Sequence, residues 1–198
     1  EKQPVPPLGQ GGFGGVYMAM RHGGPVAVKE LRAQHLSVES IQAFKEETEV
    51  MAGLHAHNIV QFYGYCLSPY CLVMEYMPDG SLYDFLRKKP GLHWTIRWKI
   101  ADDMVCGLEF LHKKNILHRD IKSSNVLLCG TTEGYTTAKL SDFGFSTLRK
   151  DVENKLVGPE LRGGTLTWMA PERLLNNKSP RSSQQSDIYS LGMTFWEL

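Results

Sequence analysis

The chain is poor in several things, and each shortage excludes a class of protein. Only four cysteines occur, Cys66, Cys71, Cys106 and Cys129, and none forms a C-x-x-C pair. That spacing provides neither a zinc site nor a dense disulfide framework, so the four are expected as free thiols, most of them buried. His55 and His57 stand two apart near the end of a predicted helix, where side chains at i and i+2 diverge, so a shared metal is not expected. No apolar run approaches the length that spans a bilayer, and the opening EKQPVPPLGQ lacks the basic and apolar regions of a signal peptide. The expectation is a cytoplasmic protein with no membrane segment. Neither sign of charge dominates: 22 Lys and Arg against 21 Asp and Glu leave a formal net charge of +1, which argues against nucleic acid as the main partner. There is no internal repeat and no low-complexity tract.

What remains is ordinary globular material. Hydrophobic residues make up 42% and charged residues 22% of a 198-residue chain. That is enough to bury a core as one domain or as two closely packed lobes. The first part alternates short β-like runs with glycine turns: GGVYMAM, the turn RHGGP, then VAVKEL, the pattern of a hairpin meander. From Val38 to Leu54, Ile41, Phe44, Met51 and Leu54 recur on one face of a helix. Two further β-like runs follow, NIVQFYGYC and YCLVMEYM. The turn PDGS then breaks the pattern, and Ser81 is suited to cap a short helix LYDFLRK. A longer helix is predicted from about Thr95 to Lys114, with Ile96, Ile100, Met104, Leu108 and Leu111 on its buried side. A strand-rich part, residues 1–77, thus gives way to a helix-rich part, residues 78–198. Between Ser141 and Glu172 the chain is polar, contains glycine and has poor periodicity; a structureless stretch of that length in a compact domain is usually functional.

Four groups of residues could carry chemistry. LGQGGFGGVY contains G-x-G-x-x-G at Gly9, Gly11 and Gly14. Val16, Tyr17 and Met18 continue it as a β-like run, so these glycines tip a hairpin instead of opening a dinucleotide-binding helix. Such a tip lets backbone amides approach phosphates, although glycine turns also occur in loops that bind nothing. Lys29 ends the apolar VAVK and calls for a carboxylate partner. Glu47 lies on the apolar face of its predicted helix while Glu46 and Glu49 point elsewhere, so the two could pair; alternatively both reach water along their stems. In HRDIKSSNVLL, Asp120, Lys122 and Asn125 precede a short apolar run. With Asp142, these residues supply oxygen ligands and a carboxylate base, chemistry suited to Mg²⁺ holding polyphosphate and not to zinc or a thiolate nucleophile.

Together these residues resemble a eukaryotic protein kinase domain. The motifs occur in the family's order: G-x-G-x-x-G-x-V at Gly9 to Val16, V-A-V-K at Val26 to Lys29, H-R-D at His118 to Asp120, Asn125, D-F-G at Asp142 to Gly144, and A-P-E at Ala170 to Glu172. The resemblance implies an α+β, two-lobed protein kinase fold. Residues 1–77 would be a small antiparallel β-sheet N-lobe with one helix and the hinge; residues 78–198 would be a mostly helical, partial C-lobe. It implies ATP and Mg²⁺ as cofactors and a protein substrate with a Ser/Thr acceptor. By resemblance, Asp120 accepts the proton of the acceptor hydroxyl, Asn125 and Asp142 bind metal, and Lys29, oriented by Glu47, contacts the α and β phosphates. Met74 would guard the back of the adenine pocket, with Glu75 to Met77 beside the base. Leu8, Val16, Ala27 and Leu127 would complete the nucleotide site, with the glycines over the phosphates. Ser81 and Asp84 could reach the ribose, or serve as a helix cap and a surface residue. His118 would pack beneath Phe143.

Lys122 and Thr165 resemble the serine/threonine-specific pattern. With Trp168 and Met169 they resemble the tyrosine-kinase-like group, which includes Raf, mixed-lineage and receptor-interacting kinases. Arg119 suggests a buried-side arginine awaiting a phosphate on the segment before Glu172. Leu148 to Gly164 contain no hydroxyl side chain, so Ser146, Thr147, Thr165 and Thr167 are the candidate sites, with Thr167 foremost, or else Asp151, Glu153 or Glu160 supplies fixed charge. DIYSLGMTFWEL has the pattern of a core helix capped by Asp187 and stops without glycine, proline or a basic last turn, as if the chain were cut. That expectation leaves Glu172 a buried acid without its arginine, and Phe195 and Trp196 exposed. Competing readings are a pseudokinase or scaffold, and a dual-specificity kinase.

Overall fold

The computed structural model describes residues 7–11, 14–30, 38–89, 91–130, 136–143, 166–175 and 182–198; within these, the side chains of residues 10, 11, 38–41, 43, 44, 47 and 175 are not described. The described residues divide into two compact units: residues 7–55 with 60–77, and residues 56–59 with 78–143 and 166–198.

The first unit is a five-stranded antiparallel sheet in the order β1-β2-β3-β5-β4. Its strands are β1 (Gly9–Gly11), β2 (Gly14–Arg21), β3 (Gly24–Glu30), β4 (Phe62–Leu67) and β5 (Tyr70–Glu75). The glycine-rich stretch does form a hairpin, with Gly9 opposite Val16 and Gly11 opposite Gly14. The RHGGP turn works because His22 and Gly23 both take left-handed backbone, at φ 48° and 82°, the geometry that matches strand twist in a tight hairpin. Helix α1 (Val38–Ala52) packs on β4, with Met51 and the following Leu54 buried. His55 and His57 lie past its end and are exposed, and His55 Nδ1 is 2.9 Å from Gln61 Oε1. On β3 the residues Val26, Ala27 and Val28 are all buried, so both faces of this central strand are covered. Ala19, Val26, Val28 and Cys71 form the cluster on one of those faces.

The second unit is built on helix α3 (Trp94–Lys113), which buries Ile100, Met104, Leu108 and Leu111 at the helical repeat. A two-stranded sheet, β6 (Val126–Cys129) with β7 (Thr137–Leu140), packs on it. Val126, Leu128, Ala138 and Leu140 share one face of that sheet and are at most 1% exposed. Residues 56–59 belong here, although Asn58 and Ile59 were expected to open the β-like run NIVQFYGYC of the strand-rich part. Ile59 makes a parallel bridge to Leu140, Asn58 Nδ2 donates to the Ala138 carbonyl, and the Leu140 amide donates to the Asn58 carbonyl. Gly107 of α3 permits this approach: a Cβ there would stand 2.6 Å from the Asn58 carbonyl oxygen. Asp103, one turn earlier, accepts from the Ala138 amide and pairs with Lys99.

Short helix α2 (Leu82–Lys88) is capped by Ser81, whose hydroxyl accepts from the Asp84 amide at 3.2 Å. The remaining helices are α4 (Pro171–Leu175) and α5 (Gln184–Glu197). The cap of α5 is Ser183, which forms a capping box with Ser186; Asp187, expected as the cap, lies inside the first turn and is 1% exposed. No helix among the described residues is long and apolar enough to cross a membrane.

The cysteines are free thiols, but the expectation that most are buried fails. Cys71 is buried, Cys129 intermediate, and Cys66 and Cys106 exposed. Cys66 stands on β4, an edge strand, and Cys106 falls on the outer side of α3, so position outweighs the residue's preference for burial.

Candidate active site

The nucleotide-site candidates of the first unit are sorted by strand register. In an antiparallel sheet, residues directly opposite each other project to the same face. Val16 lies opposite Lys29, Met18 opposite Ala27, Ala27 opposite Met74, and Lys29 opposite Leu72. Val16, Ala27, Lys29 and Met74 therefore occupy a single face, with Gly9 joining them through Val16. Leu8 is exposed, while its amide donates to the Val16 carbonyl at 2.7 Å. Lys29 is half-buried on that face. Glu47 is on α1, its side chain outside the described residues. Glu75 lies opposite Val26, on the other face, and is tied to Gln61 twice: its amide donates to the Gln61 carbonyl and its carboxylate accepts from the Gln61 amide. Met77 is buried.

In the second unit the HRD segment is held from below by Asp187. Oδ2 of this buried carboxylate accepts from the His118 amide at 2.8 Å and lies 3.0 Å from His112 Nε2, while Oδ1 accepts from the Arg119 amide at 2.8 Å. A carboxylate that accepts several N–H donors repays its own desolvation. It also holds an unfavourable backbone in place, since Arg119 sits at φ 71°, a left-handed conformation that a non-glycine residue adopts at a cost of order 1 kcal/mol or more. Arg173 Nη1 donates to the Arg119 carbonyl at 3.1 Å. Arg119 is exposed, contrary to the buried-side placement expected for it.

The backbone then turns Asp120 inward, where it is 7% exposed. Asn125 Nδ2 donates to both the backbone carbonyl and Oδ2 of Asp120, each at 2.8 Å, and Lys122 Nζ is 3.1 Å from the same Oδ2. These donors fix the plane of the Asp120 carboxylate. Both amide hydrogens of Asn125 are committed, so what its side chain can offer a cation is the Oδ1 lone pairs. The Asn125 carbonyl in turn accepts from both the amide and the hydroxyl of Ser141, which sets Asp142 next in chain to the same network. Asp142 is itself left-handed, at φ 61°, and Phe143 is buried edge-on against His118, with centroids 6.1 Å apart. His118 is thus a packing residue, as expected. The VLL run is strand β6; its alternation buries Val126 and Leu128 and turns Leu127 to the opposite, half-buried face. Ser81 and Asp84 are engaged with each other, the Ser81 hydroxyl donating to Asp84 Oδ2 at 2.6 Å.

Among the described residues no three acidic, histidine or cysteine side chains gather into a ready-made metal site. Asn125 and Asp142 supply one amide and one carboxylate oxygen, a donor set that fits Mg²⁺ sharing its coordination with phosphate and water and does not fit a protein-enclosed ion.

A family profile described as protein tyrosine and serine/threonine kinase matches residues 4–198. The chain belongs to this kinase family. Curated kinases similar to it include the probable serine/threonine-protein kinase pats1 of Dictyostelium discoideum, 40% identical over 96% of this chain and 6% of that protein. The probable serine/threonine-protein kinase drkA of the same organism is 36% identical over 96% of this chain and 28% of its own length. A probable leucine-rich repeat receptor-like protein kinase of Arabidopsis thaliana is 38% identical, with 96% and 20% covered. The chain therefore spans less than a third of the length of each of these kinases.

Two functional features escape the kinase motifs. Asp187 was read as a helix cap, and only its three distant donors reveal what it holds. Glu197, outside every catalytic motif, accepts from Trp168 Nε1 and from Ser123 Oγ, each at 2.5 Å. Glu172, expected to be buried, is exposed; Phe195 is half-buried and Trp196 is 83% exposed. Gly144, Ser146, Thr147 and Thr165 lie outside the described residues, while Thr167 is exposed in the single turn Leu166–Trp168.

Proposed function

We propose that this chain is the catalytic domain of an ATP-dependent serine/threonine protein kinase that transfers the γ-phosphate of Mg-ATP to a protein hydroxyl. The observation that carries the reading is the Asp120 carboxylate, oriented by Asn125 and Lys122 in a loop anchored by Asp187. In this mechanism Asp120 aligns the acceptor hydroxyl and takes its proton, and Lys122 places positive charge beside the transferring group. Asn125 and Asp142 hold the metal, which when bound neutralises charge on the phosphates. Lys29, with Glu47 as its partner, contacts the α and β phosphates, and the amides around Gly9, Gly11 and Gly14 cover them. Leu8, Val16, Ala27, Met74 and Leu127 provide apolar contacts for the base, with Glu75 to Met77 along its edge; Ser81 stands at the ribose end. Residues 1–77 act as the nucleotide-binding lobe and hinge, and residues 78–198 as the catalytic part.

Lys122 and the GTLTWMAPE run favour serine or threonine as acceptor and a place in the tyrosine-kinase-like group, in a cytoplasmic signalling protein. A pseudokinase or scaffold fits less well, because each side chain that the chemistry requires is present. The test is to incubate the full-length protein with Mg²⁺ and labelled ATP, identify the phosphorylated amino acid, and compare Asp120→Asn and Asp142→Asn. Undiminished transfer by both variants would remove the proposed site.

A further inference from the structure

We propose that Cys66 and Cys71 form a reversible disulfide that fastens the edge strand β4 to β5, a modification site independent of the proposed phosphotransfer.

Strand register carries the argument. Cys66 on β4 stands directly opposite Cys71 on β5, within a regular run of pairs from Gly64 opposite Val73 to Leu67 opposite Tyr70. Residues paired in this way project to the same face, with Cα atoms about 4.5–5.5 Å apart. A disulfide spans roughly 4.4–6.8 Å between Cα atoms, so the pair can close by side-chain rotation with little movement of backbone. Neither of the other two cysteines stands opposite a cysteine among the described residues: Cys129 on β6 pairs with Thr137, and Cys106 is on α3.

Exposure gives the two thiols different parts. Cys71 is 8% exposed in the cluster of Ala19, Val26 and Val28, a place that a small apolar side chain fills well. Packing accounts for Cys71 but not for Cys66, which is exposed on the outer strand of the sheet, its Sγ donating to the Ser68 carbonyl at 3.3 Å. Cys66 is therefore the sulfur that a dissolved reagent reaches, and Cys71 is the one that resolves the product.

The oxidant is a small-molecule disulfide such as oxidised glutathione. The Cys66 thiol gives its proton to water and attacks one sulfur of that disulfide; one glutathione leaves as thiolate, and a mixed disulfide forms on Cys66. Cys71, its proton likewise lost, attacks the Cys66 sulfur; the second glutathione leaves as thiolate, and the bond between the two protein sulfurs remains. Two protein thiols are oxidised, one small disulfide is reduced to two thiols, and the two protons end on the departing thiolates. Excess reduced glutathione reverses both steps. An edge strand is paired on one side alone and opens more readily than a central one. The bridge ties β4 to the strand that sets Leu72 opposite Lys29 and Met74 opposite Ala27.

The experiment treats the reduced full-length protein with oxidised glutathione, blocks remaining thiols by alkylation and digests with a protease that cuts after Tyr70. The expected result is a Cys66 peptide and a Cys71 peptide joined to each other and separated by reduction. Cys66→Ser should give no joined peptides and leave Cys71 open to alkylation only after unfolding. Cys71→Ala should keep one glutathione on Cys66, because nothing resolves it. In the bridged protein the amides of residues 64–67 should exchange with solvent about threefold or more slowly than in the reduced protein. Wild-type protein that retains glutathione on Cys66, a Cys66 joined to any cysteine other than Cys71, or unchanged exchange in bridged protein would overturn the proposal. None of these readouts uses ATP, so a failure of the kinase reading leaves the test intact.

Discussion

The carboxylate of Asp187 accepts the backbone amide of Arg119 at 2.8 Å across 68 positions of sequence, and so holds a non-glycine residue at φ 71° beside the proposed catalytic base. The bond converts packing of the second unit into geometry at Asp120. Without it the left-handed residue would relax and the loop would lose the orientation on which alignment depends.

Asp187→Asn tests this directly. An amide substitutes an N–H for an acceptor in front of buried donors, and breaking such a network costs about 3 kcal/mol. Chemical denaturation should show that loss, accompanied by a fall in phosphotransfer. A variant of native stability and activity would contradict the anchoring role.

Asp120→Asn should separate chemistry from folding. The substitution is nearly isosteric, so the melting temperature should change little, while kcat for the peptide falls by roughly a hundredfold or more, the usual contribution of a positioned general base. Steady-state kinetics beside a thermal melt would check both parts.

Gly107→Ala places two effects in opposition. Alanine in mid-helix gains about 1 kcal/mol over glycine, but its Cβ would stand 2.6 Å from the Asn58 carbonyl oxygen and 3.2 Å from the Leu140 side chain. The obstacle is backbone and cannot swing aside, so overpacking of about 1–3 kcal/mol wins and the variant is less stable. A gain in denaturation midpoint would show that residues 56–59 yield easily.

Ser81→Ala removes an N-cap and should cost about 1 kcal/mol. Measured with it, the ATP KM distinguishes the two uses of this hydroxyl: no change leaves Ser81 a cap, and a several-fold rise adds the ribose contact.

Thr167 is exposed in the turn just before the residue that Glu197 holds. Phosphate on Thr167 is expected in the active enzyme, and Thr167→Ala should lower activity. Intact-protein mass mapping that finds Thr167 unmodified in fully active enzyme would remove it as the regulatory site.

Element types were legible in the sequence because they depend on neighbours. The glycine hairpin, the Ser81 cap and the apolar repeat of α3 each need only residues within a few positions, and periodicity reports them. The side chains at Asp120, Lys122 and Asn125 were legible for the same reason, since they bond to each other inside a single short loop. Asn58 and Ile59 were misplaced because they open an apolar β-like run; which sheet they join is decided by Ala138 and Leu140, 80 positions beyond Asn58 for the first of these. Cys66 and Cys106 were misjudged because burial depends on edge and face as well as residue type.

Spacing and periodicity by themselves determined the strand-then-helix order and the identity of the chemical groups, and the resemblance of the ordered motifs to a kinase domain indicated the family. The tertiary structure alone decided what Asp187 and Glu197 do. Either acid, seen only with its neighbours, is an ordinary helix carboxylate; its meaning lies in donors 68 and 74 residues away, which no local pattern encodes. Hydrogen bonds between distant segments form only after hydrophobic burial has brought those segments together, so their partners are a property of the packed fold.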